Sequence, residues 1–183
     1  MNIRKKSQKQ EKRVAKQTGG NLVPASGSLW SNKADVKIDN FLIEVKYTDK
    51  DYYTLKVDIW NKIYKEAIKD GGRIALLQID IKDKEYVILD DKDFIGLGLN
   101  KYNYFTQGQN YIFDKKSFRL NNNKIFIMHE YLGYLNDVWY PRELIYFKRD
   151  NLLLNLILWD DFLQTISPEH LNNISNEKLI LKE

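Results

Sequence analysis

The sequence predicts a mixed α/β fold, a sheet flanked by helices, and three observations predict it. Apolar runs of strand length occur at 34–38, 41–47, 73–81 and 85–89. An amphipathic run at 54–70, with Leu55, Ile59, Ile63 and Ala67 four residues apart, separates the second from the third. The composition, 43% hydrophobic and 30% charged with 9 Gly and 3 Pro in 183 residues, suits one globular unit and argues against disorder or low complexity.

Residues 4–17 are rich in Lys, Gln, Glu and Arg and meet no breaker before Gly19-Gly20, so they predict a largely exposed helix ended by glycine. An extended piece at 21–25 leads into the small-residue loop Ser26-Gly27-Ser28, which can let a phosphate backbone approach closely; ordinary loop chemistry accounts for it equally well. The runs 34–38 and 41–47 are joined by Asp39-Asn40, residues that tolerate the positive φ of a tight hairpin turn. Thr54 is expected to cap the helix that follows, and Gly71-Gly72 to stop it. Lys82-Asp83-Lys84 is the expected turn between the strands at 73–81 and 85–89.

Past Phe94 an aromatic stretch (Tyr102, Tyr104, Phe105, Tyr111, Phe113) precedes expected strands at 124–130, 143–148 and 152–159, whose topology the sequence leaves open. A strand–turn–strand unit ending in Asp91-Lys92-Asp93-Phe94 is echoed by one ending in Asp160-Asp161-Phe162, which common composition explains better than duplication. The division expected is a core over 1–95 and an extension over 96–183 that packs on or elaborates it.

With no Cys, disulfides, thiolate zinc sites and cysteine nucleophiles are excluded. Two histidines, His129 and His170, are too few to suggest a histidine-based metal centre, and no G-x-x-x-x-G-K-[ST] loop predicts nucleotide hydrolysis. The basic first 16 residues lack an apolar run behind them and no apolar stretch is long enough to span a bilayer, so an intracellular location is expected.

Charge is unevenly spread: 15 Lys and Arg face 9 Asp and Glu in residues 1–72, whereas 14 face 16 in residues 73–183. Arg4, Lys5, Lys6, Lys9, Lys12, Arg13 and Lys16 surround a single acid, Glu11, a pattern suited to a polyanion such as DNA. A solvated helix explains the cluster as well on charge alone.

The hairpin carries the chemistry. A two-residue turn at Asp39-Asn40 sets Val36 against Ile43 and Asp35 against Glu44. Val36, Ile38, Phe41, Ile43 and Val45 then form one apolar face, which the following helix is expected to cover, while Asp35, Lys37, Leu42, Glu44 and Lys46 share the other. Facing residues have Cβ atoms roughly 4.5–5.5 Å apart, so two carboxylates there repel unless a cation lies between them. An oxygen-only set of Asp35, Glu44 and the Val45 carbonyl favours a hard ion, Mg²⁺ or Mn²⁺. Lys46, next on that face, can orient the attacking water or stabilise charge developing on a phosphate. An acid-x-Lys triplet is common in so charged a chain, recurring at Asp35-Lys37, Asp80-Lys82, Asp90-Lys92 and Asp114-Lys116; only the facing Asp35 and the apolar reverse face single out Glu44-Val45-Lys46. Gln78, amid an apolar strand, reads as a hydrogen-bonded structural residue before an aid to the site. Tyr47, Thr48, Tyr52 and Tyr53 can touch nucleic acid, though packing is the simpler use.

A carboxylate, a hairpin, an acid-x-Lys strand and then a helix resemble the core of the PD-(D/E)XK nucleases over roughly residues 8–95. More narrowly, Glu11 on a basic helix, Pro24-Ala25-Ser26-Gly27-Ser28, Ala34-Asp35-Val36 and Ile43-Glu44-Val45-Lys46-Tyr47-Thr48 are similar in order to archaeal-type Holliday junction resolvases and their phage-borne relatives. The resemblance implies a restriction-endonuclease-like fold, Mg²⁺-dependent hydrolysis of DNA phosphodiesters in recombination, and a homodimer acting on branched DNA. It makes Glu11, Asp35, Glu44 and Lys46 catalytic, Asp35 and Glu44 metal ligands, and Ser28, in one loop with Ser26 and Gly27, a phosphate-side contact; the Val45 carbonyl as a further ligand and Arg4, Lys5, Lys6, Lys12 and Arg13 as DNA contacts are expected from the hairpin and from charge. Ala34 stands where the superfamily usually has Pro, and some ninety residues follow the core. The alternatives are a same-fold nuclease acting on flaps, ends or a specific sequence, and a DNA-binding recombination accessory protein that does not cleave.

Overall fold

The computed structural model describes residues 3–23, 34–99, 103–106, 111–113, 116–121 and 139–166. Within them the chain is a mixed α/β protein with four α-helices, a large mixed sheet and a separate two-stranded ribbon.

Helix α1 (Ile3–Thr18) ends where Gly19 takes a φ of 66°, as the Gly19-Gly20 pair predicts. Strand β1 (Asn21–Leu22) pairs antiparallel with β2 (Val36–Lys37), which pairs antiparallel with β3 (Phe41–Thr48). The register is the expected one at Val36 against Ile43 and Lys37 against Leu42, closed by reciprocal bonds between Ile38 and Phe41, but the expected pairing of Asp35 against Glu44 is not formed, because Asp35 N–H turns to the Ile43 carbonyl instead. The turn places Asp39 and Asn40 at its tip, and Arg73 Nε holds the Ile38 carbonyl at 3.1 Å.

Residues 52–56 depart from expectation. Thr54 does not cap a helix; it lies inside β4 (Tyr52–Lys56), paired with β9 (Ser117–Asn121), and helix α2 (Val57–Lys69) begins only after Lys56. The β-branched and aromatic run Tyr52-Tyr53-Thr54 prefers a strand once a partner is available, and that partner, Arg119 to Asn121, is far away in sequence. The helix consequently buries Val57, Trp60, Ile63 and Ala67, while Ile68 stays 53% exposed.

The parallel pair β3–β5 (Ile74–Ile81) requires a crossover, which α2 supplies. Helix α2 covers not the Val36/Ile43/Val45 face but the opposite one, where Leu55, Trp60, Ile63 and Ala67 pack with Leu42, Ala75, Leu77 and Ile79. The Val36/Ile43/Val45 face is buried instead under Val14 and Ala15 of α1 and under Trp159 and Phe162 of α4 (Trp159–Thr165). A sheet with a parallel pair is buried on both sides, so the hairpin needed two covers and the sequence pattern named only one.

Strand β6 (Lys84–Asp90) follows β5 through Lys82 and Asp83, both at positive φ, and leads into α3 (Asp91–Gly96), capped by the Asp90 carboxylate accepting from Lys92 N–H. Strand β11 (Leu152–Leu158) lies antiparallel to β6, and β10 (Trp139–Phe147) lies outside β11. Strands β7 (Asn103–Thr106) and β8 (Tyr111–Phe113) pair parallel with β10. The path is therefore β1-β2-β3-β5-β6-β11-β10-β7, with β8 also on β10. The echo noted in the sequence has a spatial counterpart: Ile88 and Leu156 face each other, and Phe94 and Phe162 follow them at equal separations, both buried in one cluster. The expected strand at 124–130 and both histidines lie outside the described residues. Among the described residues, no helix is long and apolar enough to cross a membrane.

Candidate active site

The β2–β3 ladder ends in a bulge. Val36 faces Ile43, yet Asp35 N–H also donates to the Ile43 carbonyl at 3.1 Å, so two residues of one strand stand against one of the other. The Asp35 side chain then replaces the missing backbone acceptor, taking the Val45 N–H on Oδ2 at 2.8 Å. Strand N–H groups lie in the plane of the sheet, so the Asp35 carboxylate sits at the edge of β3, between its two faces. The Val45 carbonyl leaves the strand on that same edge.

Glu44 and Lys46 project from β3 on the α2 face and form an ion pair, Lys46 Nζ donating to Glu44 Oε1. Glu44 keeps 15% of its side-chain exposure and Lys46 36%, so the carboxylate is the more desolvated partner. Burial accordingly pushes Glu44 up to about 7; Lys46 opposes that rise, and Asp35 and Glu66 of α2 add to it. Burial pulls Lys46 down, but Glu44, by charge and hydrogen bond, and then Asp35 outweigh it, and the ammonium titrates above its ordinary value.

Glu11 approaches Asp35 from α1. Burial and then the Asp35 charge raise its pKa, against a bond from Ser7 Oγ at 3.2 Å and the charge of Lys46. Asp35 and Lys46 thus each lie within electrostatic reach of both Glu11 and Glu44, although the four come from α1, the bulge and β3.

Excess negative charge under desolvation fits a bound cation. The donors are all oxygen: Asp35 Oδ1 and Glu44 Oε2 remain after the bonds above, with the Val45 carbonyl on the same edge. They suit a hard ion that keeps several water or phosphate ligands. Among the described residues no group of three or more His, Cys, Asp and Glu side chains converges tightly enough to hold an ion. An ion at Asp35 and Glu44 would therefore have to draw most of its ligands from outside the side chains.

Sequence reasoning missed two neighbours, Glu66 and Gln10, and gave a third, Tyr53, only as a nucleic-acid or packing contact. Tyr53 of β4 lies beside the Glu44–Lys46 pair, its hydroxyl pushed above its ordinary value by burial, with Lys46 lowering and Glu44 raising it. Glu66 adds negative charge from α2. Gln10, 3% exposed, donates through Nε2 to the Lys46 carbonyl at 3.2 Å and to Gln78 Oε1 at 2.7 Å, and Gln78 passes a bond to Glu85. Gln78 therefore supports β3 from the α1 face and lies away from Glu44 and Lys46. The one sequence signal for Gln10 was its spacing of four from Val14 on the buried side of α1.

Of the basic residues on α1, Lys6 bonds Asp49 and lies over the Tyr47 ring, and Arg13 pairs with Glu85. Their charge is compensated within the protein. Arg4, Lys5, Lys9, Lys12 and Lys16 are exposed, and the four lysines, at spacings of four, three and four, line the side opposite Val14. Ser26, Gly27 and Ser28 lie outside the described residues. Comparison of the chain with protein-family models, with curated proteins and with solved structures returns no match.

Proposed function

We propose that the chain is a metal-dependent endodeoxyribonuclease of the PD-(D/E)XK type, most similar to Holliday junction resolvases. The observation that carries this reading is the bulge at Asp35, which sets one carboxylate on the edge of β3 beside Glu44, Lys46 and Glu11. The antiparallel β2–β3 hairpin, the α2 crossover and the parallel β3–β5 pair support a restriction-endonuclease-like core.

Asp35, Glu44 and the Val45 carbonyl would hold Mg²⁺ or Mn²⁺, which when bound neutralises phosphate charge and acidifies water. Lys46 places its ammonium next to Glu44, where it orients the nucleophile and balances charge gathering on the phosphoryl oxygens. Glu11 brings a second carboxylate from the other side of Asp35, able to accept a proton or hold a water. The exposed lysines of α1 offer phosphate contacts along the same helix that carries Glu11.

The test is cleavage of four-way junctions, flaps and linear duplexes with and without Mg²⁺. Junction cutting that needs the ion and falls by at least about a hundredfold in Glu44→Gln and Lys46→Ala supports the reading. Parental rates in both variants sink it, and preference for flaps or linear ends retains the chemistry while replacing the substrate.

A further inference from the structure

We propose that the outer face of the β4–β9 ribbon is a nucleic-acid backbone-binding wall beside the site. It rests on the nuclease reading for where the bound strand leads, but not for the contact itself.

The ribbon is a firmly seated element. Leu55 of β4 and Leu120 of β9 are fully buried in the core beneath α2, and Tyr53, on the same side of β4, lies beside Glu44 and Lys46. Alternation along the strands then turns Tyr52, Thr54 and Lys56, with Ser117 and Arg119, to the outer side. That surface is therefore held at a fixed place relative to the acids.

Its chemistry is cationic. Lys50, Lys56 and Arg119 are exposed, and none forms an ion pair among the described residues. The neighbouring acid, Asp51, is occupied by Lys82 at 2.7 Å. This differs from the other basic side chains close to the site, since Lys6 and Arg13 are neutralised by Asp49 and Glu85.

The cations are also ordered. The Arg119 guanidinium lies 4.3 Å from the centroid of the Tyr52 ring, and the Lys50 ammonium lies 5.5 Å from it. A guanidinium held over a ring by cation–π attraction still has N–H groups to offer to the oxygens of a phosphate. Holding it there in advance removes part of the entropy that binding would otherwise lose. A merely solvated lysine patch needs no such aromatic support, and a phosphodiester backbone fits a row of cations more closely than an isolated anion does.

The test is fluorescence anisotropy of a short labelled DNA duplex in EDTA, across a salt series, using the full chain. A slope of about −0.9 per phosphate makes one lost contact worth about eightfold in affinity at about 0.1 M salt. Arg119→Ala is expected to weaken binding by that amount and to flatten the salt slope by about one contact, and Lys50→Ala with Lys56→Ala by about two. Tyr52→Ala should follow Arg119→Ala, whereas Tyr52→Phe, which keeps the ring, should bind as the parent does. Lys148→Ala with Arg149→Ala, equally exposed but on the turn between β10 and β11, controls for net charge and should change little.

Ribbon variants that bind within twofold of the parent overturn the proposal, as does a parent that binds no duplex or a control pair that weakens binding as much. The outcomes separate from those of the nuclease reading. A parent that cuts DNA through Glu44 but ignores the ribbon changes rejects the wall alone, while ribbon-dependent binding without any Mg²⁺-dependent cutting rejects the nuclease and retains the wall.

Discussion

Asp35 is a short side chain that substitutes for a backbone carbonyl, and its two roles can be separated. In Asp35→Asn an amide oxygen can still accept from Val45 N–H, so the protein should keep its stability while losing most of the Mn²⁺ affinity that the proposed metal site would confer, measured by calorimetry. Asp35→Ala also leaves that N–H without its acceptor and should cost an additional ~1–3 kcal/mol in urea unfolding. Equal stability of the two variants would remove the structural role assigned to the carboxylate. Glu44 makes a pH-dependent claim. Its folded pKa, about 7, lies above the ordinary 4.5, so its contribution to stability is complete below about 4.5 and lost as pH rises through 7. In metal-free buffer the parent should therefore lose stability relative to Glu44→Gln over that interval, by on the order of 3 kcal/mol at most. A difference between the two that does not change with pH contradicts it.

At the level of elements, α1 must lie close against the hairpin for Glu11 to reach Asp35, and Gly20 allows this. A Cβ there would meet Val36 Cγ1 at 2.8 Å, Ile38 Cγ1 at 2.9 Å and the Lys37 carbonyl at 3.1 Å. Gly20→Ala is expected to destabilise by ~1–3 kcal/mol through overpacking, read as a lower Tm, and, on the proposed nuclease reading, to reduce cleavage by displacing Glu11. Unchanged Tm would mean the hairpin yields freely. The hairpin was legible in the sequence because its turn length and alternation are local, and Val36 against Ile43 followed from them. The strand at 52–56 was not, because Tyr52-Tyr53-Thr54 becomes a strand only through pairing with β9. Nor was the face that α2 covers, since alternation tells which residues share a face but not which element comes to rest on it.

Across the whole molecule, the residues after 95 complete the sheet and both cores. Strand β11 pairs with β6, and Ile145, Phe147, Leu154, Leu156, Ile157, Trp159 and Phe162 are all buried against residues of the first half. Trp159 also ties α4 to α1 through a 3.0 Å bond from Nε1 to Gln17. Fragment 1–95 should therefore fail to give a cooperative unfolding transition by circular dichroism, and Trp159→Ala in the full chain should cost ~3–5 kcal/mol. A fragment that unfolds cooperatively at a parental Tm would mark 1–95 as self-sufficient.

What the sequence determined by itself was local: the α/β class, the hairpin register, the glycine stop of α1, and the choice of Glu11, Asp35, Glu44 and Lys46 as the residues to watch. These follow from periodicity, turn chemistry and resemblance. Tertiary structure decided the rest. The burial that raises Glu44, the Gln10–Gln78 support behind Lys46 and the β4–β9 ribbon each depend on contacts between segments far apart in the chain, and no local pattern encodes where those segments meet; the bulge that turns Asp35 onto the Val45 N–H is a departure from regular pairing that alternation alone does not show.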